Sequence, residues 1–177
     1  MSAASPLDLE AVERAAAWGT FIGKAEAVVE FHDALESTSQ RAGELAREGA
    51  PEGSLVVAAQ QAAGRGRLGK KWSSPSGGLY LTVILRPDQA MLRRLPVTLL
   101  GGLAVAEAID ATTELHAELK WPNDVYLGNR KVAGVLGELS RDPSSKDSVL
   151  LLGIGVNVAE PADGFDAEIA ETAASLA

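Results

Sequence analysis

Three short stretches hold residue types that could do chemistry together. The first is Gln61-Ala62-Ala63-Gly64-Arg65-Gly66-Arg67-Leu68-Gly69. Glycines let backbone N–H groups come close to an anion, and Arg65 and Arg67 offer planar forks that grip phosphate or carboxylate oxygens in pairs. No Gly-Lys-Ser/Thr ending follows and the glycine spacing is not that of a dinucleotide fingerprint, so neither a P-loop nor a Rossmann turn is indicated. The second is Lys120-Trp121-Pro122-Asn123-Asp124. A lysine at a strand end, held by a Trp-Pro turn, can stabilise negative charge on a transferring phosphoryl or acyl group. Asn123 and Asp124 would either meet a magnesium ion or fix the turn. The third is Gly153-Ile154-Gly155-Val156-Asn157-Val158, where alternating glycine in a strand marks the close approach of a ligand or another backbone. Asn157 would then turn its amide toward that ligand. Each stretch also has a plainer reading: a solvated loop, a hairpin corner with Trp121 as core filler, and a strand packed tightly under a helix.

The whole chain has 177 residues, 46% apolar and 23% charged, which indicates one globular domain with its own core. Acids number 24 against 16 Lys and Arg, a net charge of −8. Nucleic-acid binders normally carry the opposite balance, so no nucleic-acid partner is expected. Cysteine is absent, which excludes disulfides, thiolate zinc sites and thiol nucleophiles. Apolar runs such as Val149 to Leu152 fall far short of the roughly 20 residues that a spanning helix needs. The N-terminus carries acids early and has no basic segment ahead of an apolar one, so it does not read as a signal peptide. A cytoplasmic chain with no membrane partner is the expectation.

Periodicity supplies the elements that must position the three stretches. Leu7 to Trp18 is amphipathic, an N-terminal helix within residues 1–20. Ala25 to His32 reads as a strand. Ser37 or Thr38 caps a helix that runs through Ala46 and stops at Gly49, and Leu55 to Ala59 is a buried strand. Residues 60–78 hold five glycines and four cations with no apolar face, a long loop of the kind that carries function in compact domains. Leu79 to Leu85 returns to strand. Pro96 opens a helix through Ala111, and its Gly101 and Gly102 imply a closely packed neighbour. Glu118 to Leu127 and Lys131 to Leu139 read as strands joined by a two-residue turn at Gly128-Asn129. Arg141 to Ser148 is a polar loop, Val149 to Val158 the last strand, and Phe165 to Leu176 a weak final helix. Strands in hairpins with few helices predict an α+β fold: a mixed, largely antiparallel sheet with helices packed on one side.

Taken together and in order, these stretches resemble the catalytic domain of the biotin protein ligases. The resemblance runs from about Phe21 to Leu176. It includes Glu36-Ser37-Thr38-Ser39, Gln61 with Ala63 to Gly69, Trp72-Ser73-Ser74-Pro75 with Gly78-Leu79-Tyr80, Lys120 to Asp124, Lys131 to Leu136, and Gly153 to Asn157. It implies the sheet fold shared with lipoate ligases and class II aminoacyl-tRNA synthetases. It also implies a two-step reaction, in which biotin and Mg-ATP give biotinyl-5′-AMP and pyrophosphate. The biotinyl group then passes to a lysine of a biotin carboxyl carrier domain of a carboxylase. On this resemblance Arg65, Arg67 and Lys120 are the catalytic cations. Ser37, Thr38, Ser39 and Gln61 would meet the biotin head or its carboxylate end, with Gly66, Trp72 and Gly134 completing that wall and the three cations reaching it. Lys131, Asn123, Asn157 and Phe165 would join Arg67 in holding ATP or the adenylate, Phe165 against adenine. No fixed metal ligand is implied beyond magnesium arriving with ATP, near Asp124. Charge stabilisation and alignment suffice as chemistry, because a carboxylate ionised near pH 7 needs no general base.

Two departures stand out. Ser39 occupies the place where the family commonly has Asn after Ser-Thr, a shorter reach that would cost or replace one contact. Residues 1–177 are expected to form a single catalytic domain without the family's C-terminal β-barrel domain, and operator binding is not expected. Other readings are a non-catalytic module that holds biotin or its adenylate, a lipoate or octanoate ligase on the same fold, and, last, an RNA-binding patch at Arg65 to Lys71. A homodimer is left open. His32 and His116 are isolated from ligand-type neighbours and are expected to be bystanders.

Overall fold

The computed structural model describes residues 26–94, 96–141 and 148–177. The helix expected over Leu7 to Trp18 and most of the polar loop after Arg141 lie outside the described residues. The β-branched and leucine-rich runs become seven strands: β1 (Val29–His32), β2 (Leu55–Ala58), β3 (Gly78–Leu85), β4 (Glu118–Lys120), β5 (Asp124–Leu127), β6 (Arg130–Arg141) and β7 (Ser148–Asn157). They form one sheet in the order β1-β2-β3-β7-β6-β5-β4. Only β1 and β2 pair in parallel; every other pairing is antiparallel. The mixed, largely antiparallel α+β architecture expected from the hairpin-rich sequence is therefore present.

Among the described residues three α-helices accompany the sheet: α1 (Thr38–Arg47), α2 (Gln89–Arg94) and α3 (Val97–Thr112). Ala42, Leu45 and Ala46 of α1 pack on Val56, Ile84, Val149 and Leu151. Val105, Ala106 and Ile109 of α3 pack on Val125, Ala133, Val135 and Leu152. Strand residues alternate faces, and these two sets have opposite parity along β7, so α1 and α3 cover opposite faces. The expectation of helices on one side is corrected: each face carries its own apolar set, and each set requires a cover. The close neighbours expected at Gly101 and Gly102 are present. A Cβ on Gly101 would lie 3.0 Å from Val135 Cγ1, and one on Gly102 would lie 2.7 Å from Leu119 Cδ1.

Three further expectations change. Glu118 to Leu127 is two strands, because Trp121-Pro122-Asn123 turns the chain so that Lys120 pairs with Asp124. Proline has no N–H for a ladder, which ends β4 there. Phe165 to Leu176 forms successive turns rather than a helix. The cause lies in Lys131, whose N–H donates to the Thr172 carbonyl at 2.7 Å and whose carbonyl accepts from Ala174 N–H at 2.8 Å, drawing the backbone off a helical path. The six-residue α2 was not foreseen; between Pro87 and Pro96 it is too short for an apolar period to declare itself. Among the described residues no helix is long and apolar enough to cross a membrane.

Two outcomes follow for stability. Gly101→Ala gains about 1 kcal/mol of helix propensity but presses a methyl onto Val135, which is 1% exposed, at an overpacking cost of about 1–3 kcal/mol. Urea unfolding should show a lower midpoint; a higher one would contradict the packing. Edge strand β1 is tied to α1 by Glu30, which accepts from Arg41 Nε and Nη2, each at 2.8 Å. Those bonds, more than the His32 contact at 3.0 Å, lower the Glu30 pKa from 4.5 to about 2. A carboxyl depressed by folding stabilises above its unfolded pKa and loses that contribution as pH falls from about 4.5 to about 2. Acid titration of unfolding should be flatter over that interval in Glu30→Gln than in the parent chain.

Candidate functional site

The site is built across the sheet. One register row runs Ala58–Tyr80–Gly155–Gly134–Asp124–Lys120 across six strands, and the next holds Val56, Thr82, Gly153 and Leu136. Side chains of paired residues share a face, so these rows floor the face that α1 covers. Gly155 and Gly134 leave a trough, and the Trp72 indole lies in it. A Cβ on Gly155 would be 2.5 Å from Trp72 Nε1, and one on Gly134 would be 3.1 Å from Cζ3. The close approach inferred from the alternating glycines is thus to an aromatic ring of the same chain. Trp72 is held from behind by its own backbone, whose N–H donates to the Gly64 carbonyl at 2.9 Å. Gly64 is obligatory there, since a Cβ would meet the Trp72 carbonyl at 2.4 Å.

Trp72 separates two chambers. The first, about 260 Å³, is lined by Ser37, Thr38, Ser39 and Gln61 at one end and by Arg65, Gly66, Arg67, Asn123, Asp124, Lys131 and Gly134 toward the other. The second, about 590 Å³, is reached past Gln61, Lys71, Trp72 and Lys131, which line both, and includes Asn157 and Phe165. Every residue expected at the biotin head except Lys120 lines the first chamber. The residues expected at ATP divide between the two.

Lys120 is the exception. Its register puts it beside Asp124 on the correct face, yet its Nζ sits 4.4 Å from the centroid of the Tyr126 ring, exposed and outside both chamber linings. Lys131 lines the first chamber in its place, alongside Arg65 and Arg67. A β-bulge between β5 and β6 pairs Val125 with Ala133 and Tyr126 with Lys131, skipping Val132. Without that extra residue, strict alternation would send Lys131 to the face opposite Gly134; the bulge re-aims it. Trp121, offered as core filler by the plainer reading, is 73% exposed.

Three of the cations have an intramolecular side-chain partner. Arg65 Nη1 lies 3.1 Å from Glu138 Oε1, Arg67 Nη1 donates to Asn123 Oδ1 at 3.1 Å, and Lys131 Nζ lies 2.6 Å from Asp124 Oδ1 and 5.0 Å from the Trp72 centroid. Asn123 is itself held by donating to the Val135 carbonyl at 2.8 Å, so it fixes the turn and the loop rather than standing free. Asn157 donates to the Ala174 carbonyl at 2.9 Å and tethers the C-terminal turns beside the second chamber. The arginines sit on a narrow loop closed by Gly66 N–H to the Lys70 carbonyl at 2.8 Å, with Leu68 left-handed at φ 57° and 91% exposed at its tip.

The polar end of the first chamber is a run of hydroxyl and amide groups. Ser37 is the N-cap of α1, but its side chain makes no cap bond. Thr38 N–H and Oγ1 both bond the Gln61 amide oxygen, at 2.8 and 3.1 Å, and Gln61 donates to Ser74 Oγ at 2.9 Å. Sequence reasoning missed Thr82, Ser74 and Glu138. Ser74 lies within the Trp72-to-Pro75 motif but was given no role there, Thr82 is a buried strand residue, and Glu138 reads as the ordinary polar member of an alternating strand. Five cations (Arg65, Arg67, Lys70, Lys71, Lys131) against one carboxylate (Asp124) line the first chamber of a chain whose net charge is −8. Such a cavity can hold an anion and offset the repulsion when two anions meet. Asp124 is engaged by Lys131, and among the described residues no three His, Cys, Asp or Glu converge to hold a metal. The donor set does not fit a resident magnesium ion.

The seven-stranded sheet with its cation-rich, two-chambered cleft defines an α+β domain equipped to hold anions, and comparisons narrow the class. Residues 32–157 match the model of the biotin/lipoate A/B protein ligase family. The chain is 40% identical over 147 residues to the bifunctional ligase/repressor BirA of Bacillus subtilis (strain 168), covering 82% of this chain and 45% of that protein. It is 38% identical over 130 residues to the biotin–[acetyl-CoA-carboxylase] ligase of Paracoccus denitrificans, covering 72% and 53%. Among solved structures, the biotin protein ligase from Aquifex aeolicus in complex with biotin and ATP superposes with a TM-score of 0.73 at 40% identity, over 84% of this chain and 59% of that one. The chain belongs to the biotin/lipoate A/B protein ligase family. It spans about half the length of these curated relatives.

The packing of Trp72 on Gly155 carries its own test. Gly155→Ala must push the indole off the strand, with a red shift of tryptophan emission and a stability loss of about 1–3 kcal/mol. Unchanged emission would mean that the ring does not rest there.

Proposed function

We propose that the chain is the catalytic part of a biotin protein ligase. The observation that carries the reading is the cluster of cations facing one cavity whose other end is lined by Thr38, Ser39 and Gln61. A biotin carboxylate oxygen attacks the α-phosphorus of ATP, the bond from that phosphorus to the bridging oxygen breaks, and pyrophosphate leaves with the electron pair. Both reactants are anionic, so Arg65, Arg67 and Lys131 offset their repulsion and hold carboxylate and phosphate in line. Magnesium takes part as a component of the Mg-ATP substrate, not as a resident ion. In the second step the neutral amine of an acceptor lysine attacks the acyl carbon of the mixed anhydride, and AMP departs. The acceptor is the biotin carboxyl carrier domain of a carboxylase.

The first chamber takes the bicyclic head and the second the adenosine, with Trp72 as the wall between them and Phe165 against the base. A ureido ring offers a carbonyl and two N–H groups to the hydroxyls and amide of Thr38, Ser39 and Gln61. A dithiolane ring offers neither, and seating it there would desolvate those groups without return, which weighs against a lipoate or octanoate ligase.

Incubation with biotin, Mg-ATP and a carrier domain should release pyrophosphate and add one biotinyl group to one lysine by mass spectrometry. Lys131→Ala should slow pyrophosphate release by about 100-fold or more, and more than Lys120→Ala does. Biotin binding with neither pyrophosphate release nor labelling would favour the non-catalytic module and overturn the reading.

A further inference from the structure

The polar end of the first chamber has a fixed hydrogen-bond direction. Backbone N–H of Thr38 can only donate, so the group facing it at 2.8 Å is the Gln61 amide oxygen, and the Gln61 nitrogen faces Ser74. The Trp72 carbonyl can only accept, so the Ser74 proton goes to it at 3.1 Å while Ser74 accepts from Gln61. Thr38 Oγ1 lies 3.1 Å from the same Gln61 oxygen, where two lone pairs would collide unless Thr38 donates. With its one proton committed, Thr38 accepts from Thr82 Oγ1 at 2.9 Å. Thr82 then has no proton left, so Ser39 donates to it at 3.3 Å, the longest link of the chain. Two backbone groups, one at each end of the Gln61 amide, therefore dictate the orientation of every hydroxyl as far as Ser39.

Ser39 lines the first chamber; Thr82 is fully buried beneath it and lines neither chamber. A serine whose proton is spent inward turns a lone pair outward. We propose that Thr82 is a positioning residue that makes Ser39 a hydrogen-bond acceptor for a ring N–H of the ligand. On this basis the chamber selects cyclic ureas over rings of the same shape that lack that N–H. An isostere with an oxygen in place of the N–H sets a lone pair against the lone pair of Ser39, and both lose water for nothing. The inference rests on the biotin ligase reading and assigns how that site tells one head group from another.

The test is calorimetric binding of biotin and of its two cyclic-carbamate analogues, each with one ring N–H replaced by oxygen, to the full 177-residue chain. The unaltered chain should bind at least one carbamate about tenfold more weakly than biotin. Thr82→Val frees the Ser39 proton, so Ser39 can donate, and the ratio should narrow to about threefold or less, while Thr82→Ser should keep it. A role confined to packing would weaken all ligands alike and leave the ratio unmoved. Ser39→Ala removes the acceptor at the end of the chain, leaves the Thr82–Thr38–Gln61 links in place and should narrow the ratio as well, which decides the matter if Thr82→Val does not fold. Full discrimination in either variant, or equal binding of all three ligands by the unaltered chain, overturns the inference and leaves the ligase reading standing. No biotin binding by the unaltered chain overturns both.

Discussion

Like charges gathered around one cavity repel, and the rest of this structure is arranged to hold them there. Two cations ~6 Å apart near a protein surface oppose each other by about 3 kcal/mol at an effective dielectric of about 20. The chain answers with a counter-group for each cation it fixes: Glu138 for Arg65, the Asn123 amide oxygen for Arg67, and Asp124 with the Trp72 ring for Lys131. These partners sit on β5, on β6, on the turn before β5 and on the arginine loop. The site therefore exists only once the sheet has formed. The pairings also leave the cavity electropositive on balance, since Arg65 and Arg67 use single N–H contacts of forks that carry five donors each. A ligand anion enters an arrangement of cations that is already oriented, and little reorganisation is left for the reaction.

Sheet geometry supplies the rest. The glycine pair Gly155 and Gly134 admits the Trp72 ring against the backbone, and that ring divides the cleft into two chambers. The bulge between β5 and β6 delivers Lys131 to the floor, and its backbone in turn captures Thr172 and Ala174. One residue thus couples the charge of the first chamber to the wall of the second. At the far end, α1 presents Thr38 and Ser39 from its first turn, and the hydroxyl of Thr82 reaches them from β3. Charge gathers at one end and directed neutral polarity at the other, which suits a ligand that is anionic at its tail and uncharged at its head.

Much of this was legible before any tertiary structure. Strands β2, β3 and β7, helices α1 and α3, the Gly128-Asn129 turn and the long loop over residues 60–78 follow from short-range chemistry: apolar period, turn residues, and glycines that no periodic element would keep. The candidate residues of that loop and of the Ser37–Ser39 run are brought together as expected. Two readings of the fold failed for a common reason, and the place of one candidate lysine was hidden by the same cause. The segment after Phe165 was read as helical and both helices were put on one side, while Lys120 lies outside the chamber that Lys131 lines. In each case the deciding interaction joins residues distant in sequence: a bulge against a neighbouring strand, a backbone pairing with Lys131, or the parity of a strand relative to its cover.

The amino-acid sequence by itself determined which residue types are available and in what order: paired arginines between glycines, a hydroxyl run at a helix start, alternating glycines in a strand. Those are local properties, and local sterics and periodicity are enough to declare them. Only the tertiary structure decided which lysine faces the cavity, what lies in the glycine trough, and which way the buried hydroxyls point. A side chain's face depends on its register with a partner strand, and one inserted residue reverses it. A hydroxyl's direction depends on which neighbour can only donate and which can only accept, and those neighbours meet only when the chain has folded.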